Sequence, residues 1–358
     1  MKNIKIAITG ATGLVGSHLV EYLAHKDYAV KALIRSTASA APFMNGWSTL
    51  NIEIRQANIL KSSELRQALT GVDVLIHAAG IVDPYAPPEE ITAVNVAGTQ
   101  TALQTAIELN IKQFIFISSL SVITGNTDQY NSPEESPLVL CGEAYADSKV
   151  QAEQIINNDT YKNKIGLTII RPGFIYGPRE RAWLPQLIKA IASSRAILVD
   201  NGSKETNVIY IENLCRAIET AILNEITYGQ IYNLTDGQHI TKKQLFDSIS
   251  DGLGLPRVKK TLPSWLIKPI FTALSAVVST LPIEKRKKLS RFSMAAYRLI
   301  GINQGFSISK AQRDLNYTNP ISFSQGMANT LKSFQQPTIT TTAKTIHERS
   351  PVTTGETK

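Results

Sequence analysis

The chain contains little cysteine and little histidine. Its 358 residues include two cysteines, Cys141 and Cys215, and five histidines. The cysteines are far apart in sequence, which excludes a disulfide framework and is typical of a protein from a reducing compartment. The histidines show no metal-ligand spacing with one another or with the cysteines, so the sequence predicts no metal site.

A long apolar run is also missing at the beginning of the chain. The first apolar run, Ile4–Ile8, is short and leads directly into glycines. A secretory signal has a longer apolar region that ends at a small-residue cleavage site. We therefore expect a buried strand at Ile4–Ile8 and a cytoplasmic protein.

Acidic residues are scarce in one part of the chain. The formal net charge is +8, and residues 257–314 contain twelve basic and two acidic residues, so the remainder is slightly acidic. Such a segment can bind anionic lipid or nucleic acid, or it can form a solvated helix face. No helix-turn-helix, RNA-recognition or zinc-finger pattern accompanies it, so we expect no nucleic-acid partner. Lipid contact stays open.

The first half of the chain alternates short apolar runs with helical patterns. Nearly continuous aliphatic runs predict strands at Ile4–Ile8, Ala29–Ile34, Ile52–Gln56, Val74–Ala78, Phe114–Ile117 and Leu167–Arg171. Apolar residues at helical spacing predict helices at Ser17–Lys26, Ser62–Thr70, Glu89–Glu108 and Tyr145–Asn157. This alternation predicts an α/β fold with a doubly wound parallel sheet of the Rossmann type.

The pattern becomes irregular and richer in proline and glycine after Gly173. We predict a cofactor-binding domain over 1–178, with returning segments from 205–235, including strands Val208–Ile211 and Ile231–Leu234. A smaller substrate lobe is expected over 179–334. Residues 335–358 are rich in threonine and lysine without apolar periodicity, which predicts a disordered tail.

A glycine-rich segment, Thr9–Gly16, joins the first strand to the first helix. Its glycines, Gly10, Gly13 and Gly16, follow the spacing G-x-x-G-x-x-G. Glycines in this position let the backbone turn sharply and let a pyrophosphate approach the free N–H groups at the helix N-terminus. The placement between strand and helix predicts a dinucleotide-binding loop.

The end of the second strand carries a base where many NAD-binding proteins have an acid. The strand Ala29–Ile34 ends in Arg35-Ser36-Thr37, without a carboxylate to accept the ribose hydroxyls. A guanidinium at Arg35 can pair with the 2′-phosphate of NADP. We therefore favour NADP(H) as cofactor. NAD(H) remains the alternative if Arg35 only caps the sheet edge or stacks on adenine.

Tyr145 and Lys149 stand four residues apart on one predicted helix, so they share a face. Reduction of a carbonyl needs a proton donor near its oxygen, and a phenol serves at neutral pH when its pKa falls. A neighbouring ammonium is expected to lower that pKa. A serine hydroxyl after the strand Phe114–Ile117 could hold the same oxygen.

Together these motifs resemble the extended short-chain dehydrogenase/reductases, over roughly residues 1–330. The matching segments are Thr9–Gly16, His77–Gly80, Asn95–Thr99, Ser118–Ser119, Tyr145–Lys149 and Arg171–Pro178. The C-terminal part, with Phe306–Ala311, is more similar to the branch of 3β-hydroxysteroid dehydrogenases, which includes bacterial reductases of 2-alkyl-3-oxoalkanoic acids.

The resemblance implies roles for individual residues. Tyr145 becomes the acid/base, Lys149 the ribose ligand and pKa tuner, and Ser119 the donor to the carbonyl oxygen. Arg171 and Pro172 would close the nicotinamide end, while His77 and Asn95 would hold strand and loop geometry. The implied cofactor contacts are Gly10, Thr12, Gly13, Leu14, Val15, Gly16, Arg35, Asn58, Ile59, Ala78, Ala79, Gly80, Tyr145, Lys149 and Pro172.

Two positions depart from the family pattern. Asn58-Ile59 stands where the family usually has an aspartate near adenine. The segment 121–125 also differs from the common form, so Ser118 or Ser121 could take the place of Ser119.

Residues 263–283 form an apolar stretch that Lys268 and Pro269 interrupt, and its uninterrupted part is too short to span a bilayer. It could cover a hydrophobic substrate pocket as a lid, with Trp265, Leu266, Ile270, Phe271, Leu274, Val277 and Val278 as its roof. Lys285-Arg286-Lys287-Lys288 follows, so 263–298 could also lie in a membrane interface. The two roles are compatible.

The sequence therefore predicts an NAD(P)-dependent oxidoreductase that acts on a secondary alcohol or ketone of a bulky apolar substrate, such as a sterol or a long-chain β-oxo acid. A nucleotide-sugar epimerase or dehydratase is the first alternative, for which Arg179, Arg181 and Arg195 would supply a diphosphate pocket. A cofactor-sensing binding protein without catalysis is the second. The oligomeric state stays open, a homodimer included.

Overall fold

The computed structural model describes residues 2–83, 86–161, 163–281 and 294–335. The predicted disordered tail therefore lies outside the described residues from 336 onward. The basic run at 285–288 lies outside them as well.

A seven-stranded parallel sheet forms the centre of the molecule, in the order β11-β7-β5-β4-β1-β2-β3. Its strands are β1 (Lys2–Thr9), β2 (Tyr28–Ile34), β3 (Glu53–Gln56), β4 (Val74–His77), β5 (Gln113–Ile117), β7 (Gly166–Pro172) and β11 (Gln230–Leu234). Every residue of β4 and β5 is buried, as expected for strands covered on both faces. The predicted Rossmann-type sheet is confirmed.

Helices pack on both faces of this sheet. The helices of the described residues, inside and outside this packing, are α1 (Leu14–Ala24), α2 (Thr37–Ala40), α3 (Met44–Thr49), α4 (Ser62–Leu69), α5 (Pro88–Thr92), α6 (Gly98–Glu108), α7 (Ser121–Thr124), α8 (Ala144–Ile156), α9 (Leu184–Ala192), α10 (Ile211–Ala221), α11 (Lys242–Gly252), α12 (Ser264–Ser279), α13 (Met294–Gly301), α14 (Ser309–Asp314) and α15 (Phe323–Gln335). A π-helical segment, Ala93–Ala97, joins α5 to α6. In β1, Ile6 and Ile8 belong to one apolar cluster and Ala7 to another, so a core lies on each side of the sheet.

The smaller lobe contains pairs of very short parallel strands. They are β6 (Gln129–Ser132) with β13 (Gln304–Phe306), β8 (Phe174–Tyr176) with β10 (Val208–Tyr210), and β9 (Leu198–Val199) with β12 (Thr261–Leu262). The predicted returning strand at 231–234 joins the central sheet as β11, whereas the one at 208–211 pairs with β8 outside it. The segment 129–132 of the predicted cofactor domain thus pairs with a strand of the predicted smaller lobe.

A buried ion pair fixes α8 against the carboxyl ends of β5 and β7. The Arg171 guanidinium donates to both carboxylate oxygens of Glu153, with Nη2 at 2.6 Å from Oε2, and its Nη1 donates to the Glu134 carbonyl oxygen at 2.8 Å. The Ser118 hydroxyl donates to the same carboxylate. Both charged side chains are almost completely buried, so their desolvation is compensated only while all these bonds are made.

We expect Glu153→Gln to destabilise the fold by about 3 kcal/mol, because it leaves the Arg171 charge buried without a counter-ion. The measurement is urea denaturation followed by circular dichroism. Glu108→Gln is the matched control, since it removes the carboxylate of a half-exposed pair with Arg66 and should cost less than about 1 kcal/mol. Equal losses in the two variants would contradict this account.

Candidate active site

The glycine loop forms a close turn that larger residues cannot adopt. Gly10 has a φ of +65°, and the Gly13 N–H donates to the Gly10 carbonyl oxygen at 2.9 Å. A Cβ atom on Gly16 would lie 2.1 Å from the Gly10 oxygen. The first turn of α1 thus packs directly on the loop backbone, which is how this type of loop admits a pyrophosphate.

The N-terminus of α1 offers a positive end to a ligand. Its first turn holds no acidic residue, and Gly13 at the N-cap has no side chain to accept from the free N–H groups. Helix termini of this kind favour anions. Thr12, Gly13, Leu14, Val15 and Gly16 all line the large cavity described below, so these five predicted contacts share one wall, whereas Gly10 lies outside the lining.

Tyr145 lies in the first turn of α8 and is half-buried. Burial raises the pKa of its phenol, and a hydrogen bond with the Ser119 side chain opposes that rise. The phenol is therefore protonated at neutral pH, as a proton donor to a carbonyl oxygen must be.

Lys149 follows Tyr145 by one helical turn and is buried. Its ammonium donates to the Ile117 carbonyl oxygen at 2.8 Å and lies 4.7 Å from the centre of the Phe116 ring. Burial lowers the pKa of Lys149 to about 8. The lowering of the Tyr145 pKa by this ammonium stays a prediction.

The three serines after β5 have different surroundings. The Ser118 hydroxyl donates its hydrogen bond to the Glu153 carboxylate, which argues against Ser118 as the donor to a substrate. The Ser119 hydroxyl bonds with Tyr145 and accepts from the Ser121 N–H at 3.1 Å. The Ser121 oxygen is buried without a partner in the described part of the chain, and it lines the cavity. Ser119 and Ser121 thus both face the space where a substrate oxygen would lie.

His77 and Asn95 hold the surrounding backbone. The His77 ring bonds to the hydroxyls of Thr9 at 2.9 Å and Thr99 at 3.0 Å, and burial lowers its pKa to about 3, so it is neutral. The Asn95 amide accepts from the Ile81 N–H at 2.7 Å and donates to the Ser148 hydroxyl at 2.9 Å. Asn95 lies in the π-helical segment and connects the loop after β4 to α8.

The residues predicted near adenine follow the ends of β2 and β3. Arg35 is exposed, and its carbonyl oxygen accepts from the Gln56 side chain at 3.2 Å. The Asn58 side chain accepts from the Leu60 N–H at 3.0 Å, while Ile59 packs against Gly98. These three residues lie outside the lining of the large cavity, whereas Ala78, Gly80 and Pro172 belong to it.

A cavity of about 900 Å³ extends from the glycine loop past Tyr145 into the smaller lobe. Beyond the catalytic candidates its wall is mainly aromatic and aliphatic. The apolar side chains of the smaller lobe that line it include Phe174, Trp183, Leu187, Ile197, Phe246, Ile267, Ile270, Phe271, Leu299 and Ile300. One continuous space therefore joins a cofactor-type loop, a Tyr–Ser pair and an apolar chamber.

Four arginines also line this cavity, and two of them already have carboxylate partners. Arg179 binds Glu21 through two hydrogen bonds of 2.8 and 2.9 Å, and buried Arg298 pairs with Glu143. Arg181 and Arg195 are exposed and have no ion-pair partner within the described ranges. Arg171, expected to close the nicotinamide end, instead turns its guanidinium to Glu153.

The predicted roof over the cavity is only partly as expected. Ile267, Ile270 and Phe271 of α12 line the cavity, and the Phe271 ring packs on Tyr297 with ring centres 5.6 Å apart. Trp265 and Val277 point away from it, with 76% and 60% of their surfaces exposed. The helix therefore covers the chamber with one face, and its other face remains in solvent.

Comparisons with known proteins agree with this arrangement. The model of the NAD dependent epimerase/dehydratase family matches residues 6–235. A 4-hydroxy-2-methyl-3-oxo-4-farnesyl-3,4-dihydroquinoline-1-oxide ketoreductase from Stigmatella aurantiaca is 28% identical, over 89% of this chain and 93% of the relative. The decarboxylating sterol-4-alpha-carboxylate 3-dehydrogenase of Mus musculus is 25% identical, over 92% of this chain and 91% of the relative.

A solved structure shows the same fold. The UDP-glucuronic acid 4-epimerase of Bacillus cereus, in complex with UDP-glucuronic acid and NAD, superimposes with a TM-score of 0.71 at 21% identity. The alignment covers 92% of this chain and 98% of that one. With the family match over residues 6–235 and the 3β-hydroxysteroid dehydrogenase-like relatives, the chain belongs to the NAD dependent epimerase/dehydratase family of extended short-chain dehydrogenase/reductases, and it is an oxidoreductase of that family.

Proposed function

We propose that this protein reduces a ketone to a secondary alcohol on a bulky, largely apolar substrate that carries an acidic group, with Tyr145 as the proton donor. The observation that carries the proposal is the shared cavity, in which the Tyr145–Ser119 pair stands between the glycine loop and an apolar chamber.

The residues present fit a dinucleotide. Gly10, Gly13 and Gly16 leave a cradle that a Cβ atom would fill, and the uncapped N-terminus of α1 would face the pyrophosphate. A Cβ atom on Gly80 would lie 3.6 Å from the Lys149 ammonium, so Lys149 lies directly beside the loop that follows β4. A bound nicotinamide would supply the reducing equivalent.

The chain's own contribution is to position the substrate and move a proton. The Ser119 hydroxyl, with Ser121 beside it, would hold the carbonyl oxygen next to the Tyr145 phenol. The Tyr145 proton then passes to that oxygen as it gains charge. Lys149, fixed by the Ile117 carbonyl, would hold the ribose. Burial raises the pKa of Tyr145, so the phenol carries at neutral pH the proton that carbonyl reduction requires.

Tyr145→Phe removes the proton donor and keeps the ring, so kcat should fall by on the order of 10²–10⁴-fold while cofactor affinity changes little. Steady-state kinetics and cofactor titration measure the two effects. Tyr130→Phe, which changes a phenol that is 72% exposed, is the matched control. Near-normal turnover of Tyr145→Phe would refute the assignment.

Arg35 supports NADP(H) as the preferred cofactor. It follows β2 directly, is exposed, and has no carboxylate partner in the part of the chain that the structure describes. The sequence 35–52 contains no acidic residue that could accept from the ribose hydroxyls. A guanidinium there would pair with a 2′-phosphate.

Arg35→Asp should weaken NADPH binding by about tenfold or more and leave NADH binding unchanged or improved, because a repulsion replaces an attraction. Fluorescence titration with each cofactor tests this. Arg35→Ala, which removes the charge without adding one, should give an intermediate loss. If the unchanged protein binds NADH as tightly as NADPH, Arg35 has no role in the choice.

Two features of the cavity determine the proposed substrate class. The apolar wall favours a large hydrophobic body, while Arg181 and Arg195 favour an anion nearby. A long-chain β-oxo acid or an acidic sterol satisfies both. The same arginines favour a nucleotide-sugar diphosphate as the second candidate, but that polar ligand would leave the aromatic wall around Trp183 and Phe271 in contact with sugar and water.

Phe271→Ala should raise KM for long-chain or polycyclic substrates by about tenfold, because it removes apolar contact area worth roughly 25 cal/mol per Å². Trp265→Ala on the outer face of the same helix should leave KM unchanged when the substrate is presented without lipid. A panel of β-oxo acids, sterols and nucleotide sugars supplies the substrates. Preferential turnover of nucleotide sugars would refute the apolar substrate class and support a nucleotide-sugar substrate.

A further inference from the structure

Helix α12 is apolar on two faces that lie side by side. Ile267 and Phe271 are buried on its inner face, where they pack with Val199, Tyr297 and Ile302. Leu266, Ile270, Ala273 and Val277 recur at i, i+4, i+7 and i+11, which places them on one stripe of the helix. All four are exposed to solvent.

This outer stripe, hereafter the α12 stripe, is unusual within the molecule. Eleven large hydrophobic side chains are exposed in the described part of the chain, and four of them, Trp265, Leu266, Ile270 and Val277, lie on this single helix. Scattered exposed apolar residues are normal, but a contiguous patch marks an interaction site. A helix that buries one apolar face and exposes a second apolar stripe requires a second apolar environment.

The charged residues around the α12 stripe indicate what kind of apolar environment would cover it. Residues 257–281 include Lys259, Lys260 and Lys268 but no acidic residue. All three lysines are exposed and have no ion-pair partner among residues whose placement is described. The sequence continues with Lys285-Arg286-Lys287-Lys288, outside the described residues. A second copy of this surface would bring like charges together, which disfavours self-association.

A tryptophan, apolar side chains and the unpaired Lys268 on one helix, with Lys259 and Lys260 shortly before it in the chain, match the interface of an anionic bilayer. In the described part of the chain, no helix has both the length and the apolar content to cross a membrane, so the helix would lie in the plane of the surface. We propose that the α12 stripe docks this protein reversibly on anionic lipid membranes. The docking itself does not depend on the proposed substrate.

The geometry gives this docking a consequence for the enzyme. Ile270 belongs to the α12 stripe and also lines the large cavity, next to Ile267 and Phe271. The α12 stripe therefore borders the apolar chamber at Ile270. An apolar substrate dissolved in the membrane would enter the chamber past this side chain. This second step rests on the proposed function.

Sedimentation of the full chain with lipid vesicles tests the docking. Vesicles of equal parts phosphatidylcholine and phosphatidylglycerol should sediment the protein at low salt, whereas phosphatidylcholine alone should retain much less. High salt should release the protein, because it screens the lysines. Absence of sedimentation with anionic vesicles at low salt would overturn the proposal.

Variants test whether vesicle binding depends on the α12 stripe or on nonspecific adhesion of the protein. Leu266→Ser combined with Val277→Ser should weaken vesicle binding by about tenfold, since two apolar side chains no longer insert. Ile226→Ser, which alters an aliphatic side chain that is 65% exposed elsewhere on the surface, is the matched control and should bind as the unchanged chain does. Lys268→Glu should lower binding to anionic vesicles and leave the weak binding to phosphatidylcholine unchanged.

Two further outcomes would overturn the proposal. The first is unchanged vesicle binding by the double variant. The second is a dimer of the unchanged chain that the double variant dissociates, which would identify a second copy as the occupant of the α12 stripe. Cofactor titration of each variant shows that it is folded. Loss of docking with normal reduction of soluble substrates would leave the proposed function intact, whereas normal docking without reduction would refute only that function.

Discussion

The buried ion pair between Glu153 and Arg171 is the constraint on which the rest of the site depends. Tyr145, Lys149 and Glu153 follow one another at intervals of four residues, so a single face of α8 carries the phenol, the ammonium and the carboxylate. Glu153 binds Arg171 at the end of β7 and Ser118 at the end of β5, and Lys149 binds the carbonyl of Ile117, the last residue of β5. The helix can neither rotate nor slide without breaking a buried charged contact, and the position of Tyr145 against Ser119 follows from this.

The same constraint explains where the cavity opens. In a doubly wound sheet the crevice lies outside the carboxyl ends of the strands, where the strand order reverses direction. Here β1 lies between β4 and β2, and the glycine loop leaves β1 at that point. Asn95 connects the loop after β4 to α8 through Ile81 and Ser148, so two sides of the crevice are held to each other by hydrogen bonds. The proposed chemistry would thus take place between elements that hydrogen bonds hold together, and the apolar wall of the cavity would select the substrate.

The sequence predicts the central sheet because its information there is local. β4 and β5 are continuous aliphatic or aromatic runs buried on both faces, and α8 shows helical spacing within one segment. The short strands of the smaller lobe cannot be predicted in this way. The partner of β6 lies far along the chain in β13, and strands of two to four residues show no alternation. The sequence shows the Tyr145–Lys149 spacing directly. It does not show the environment that sets the pKa of Tyr145, because desolvation depends on how the site is packed. Glu153 occupies the next position on the same face of α8, but no motif marks it. Its pairing with Arg171 follows only from the packing of β7.

Polar groups in the core around α8 and along the cavity are satisfied in different ways, and this difference separates scaffold from recognition surface. Glu153 of α8 and Arg171 are buried partners of each other. Along the cavity Arg181 and Arg195 are exposed to solvent, and the Ser121 hydroxyl of α7 is buried without a partner among the described atoms. A buried hydroxyl without a partner is costly in the free protein, and a ligand oxygen would remove that cost. Ser121, Arg181 and Arg195 all belong to the lining of one cavity whose other side chains are mostly apolar. A ligand with polar groups on an apolar body complements such a lining better than a uniformly polar one.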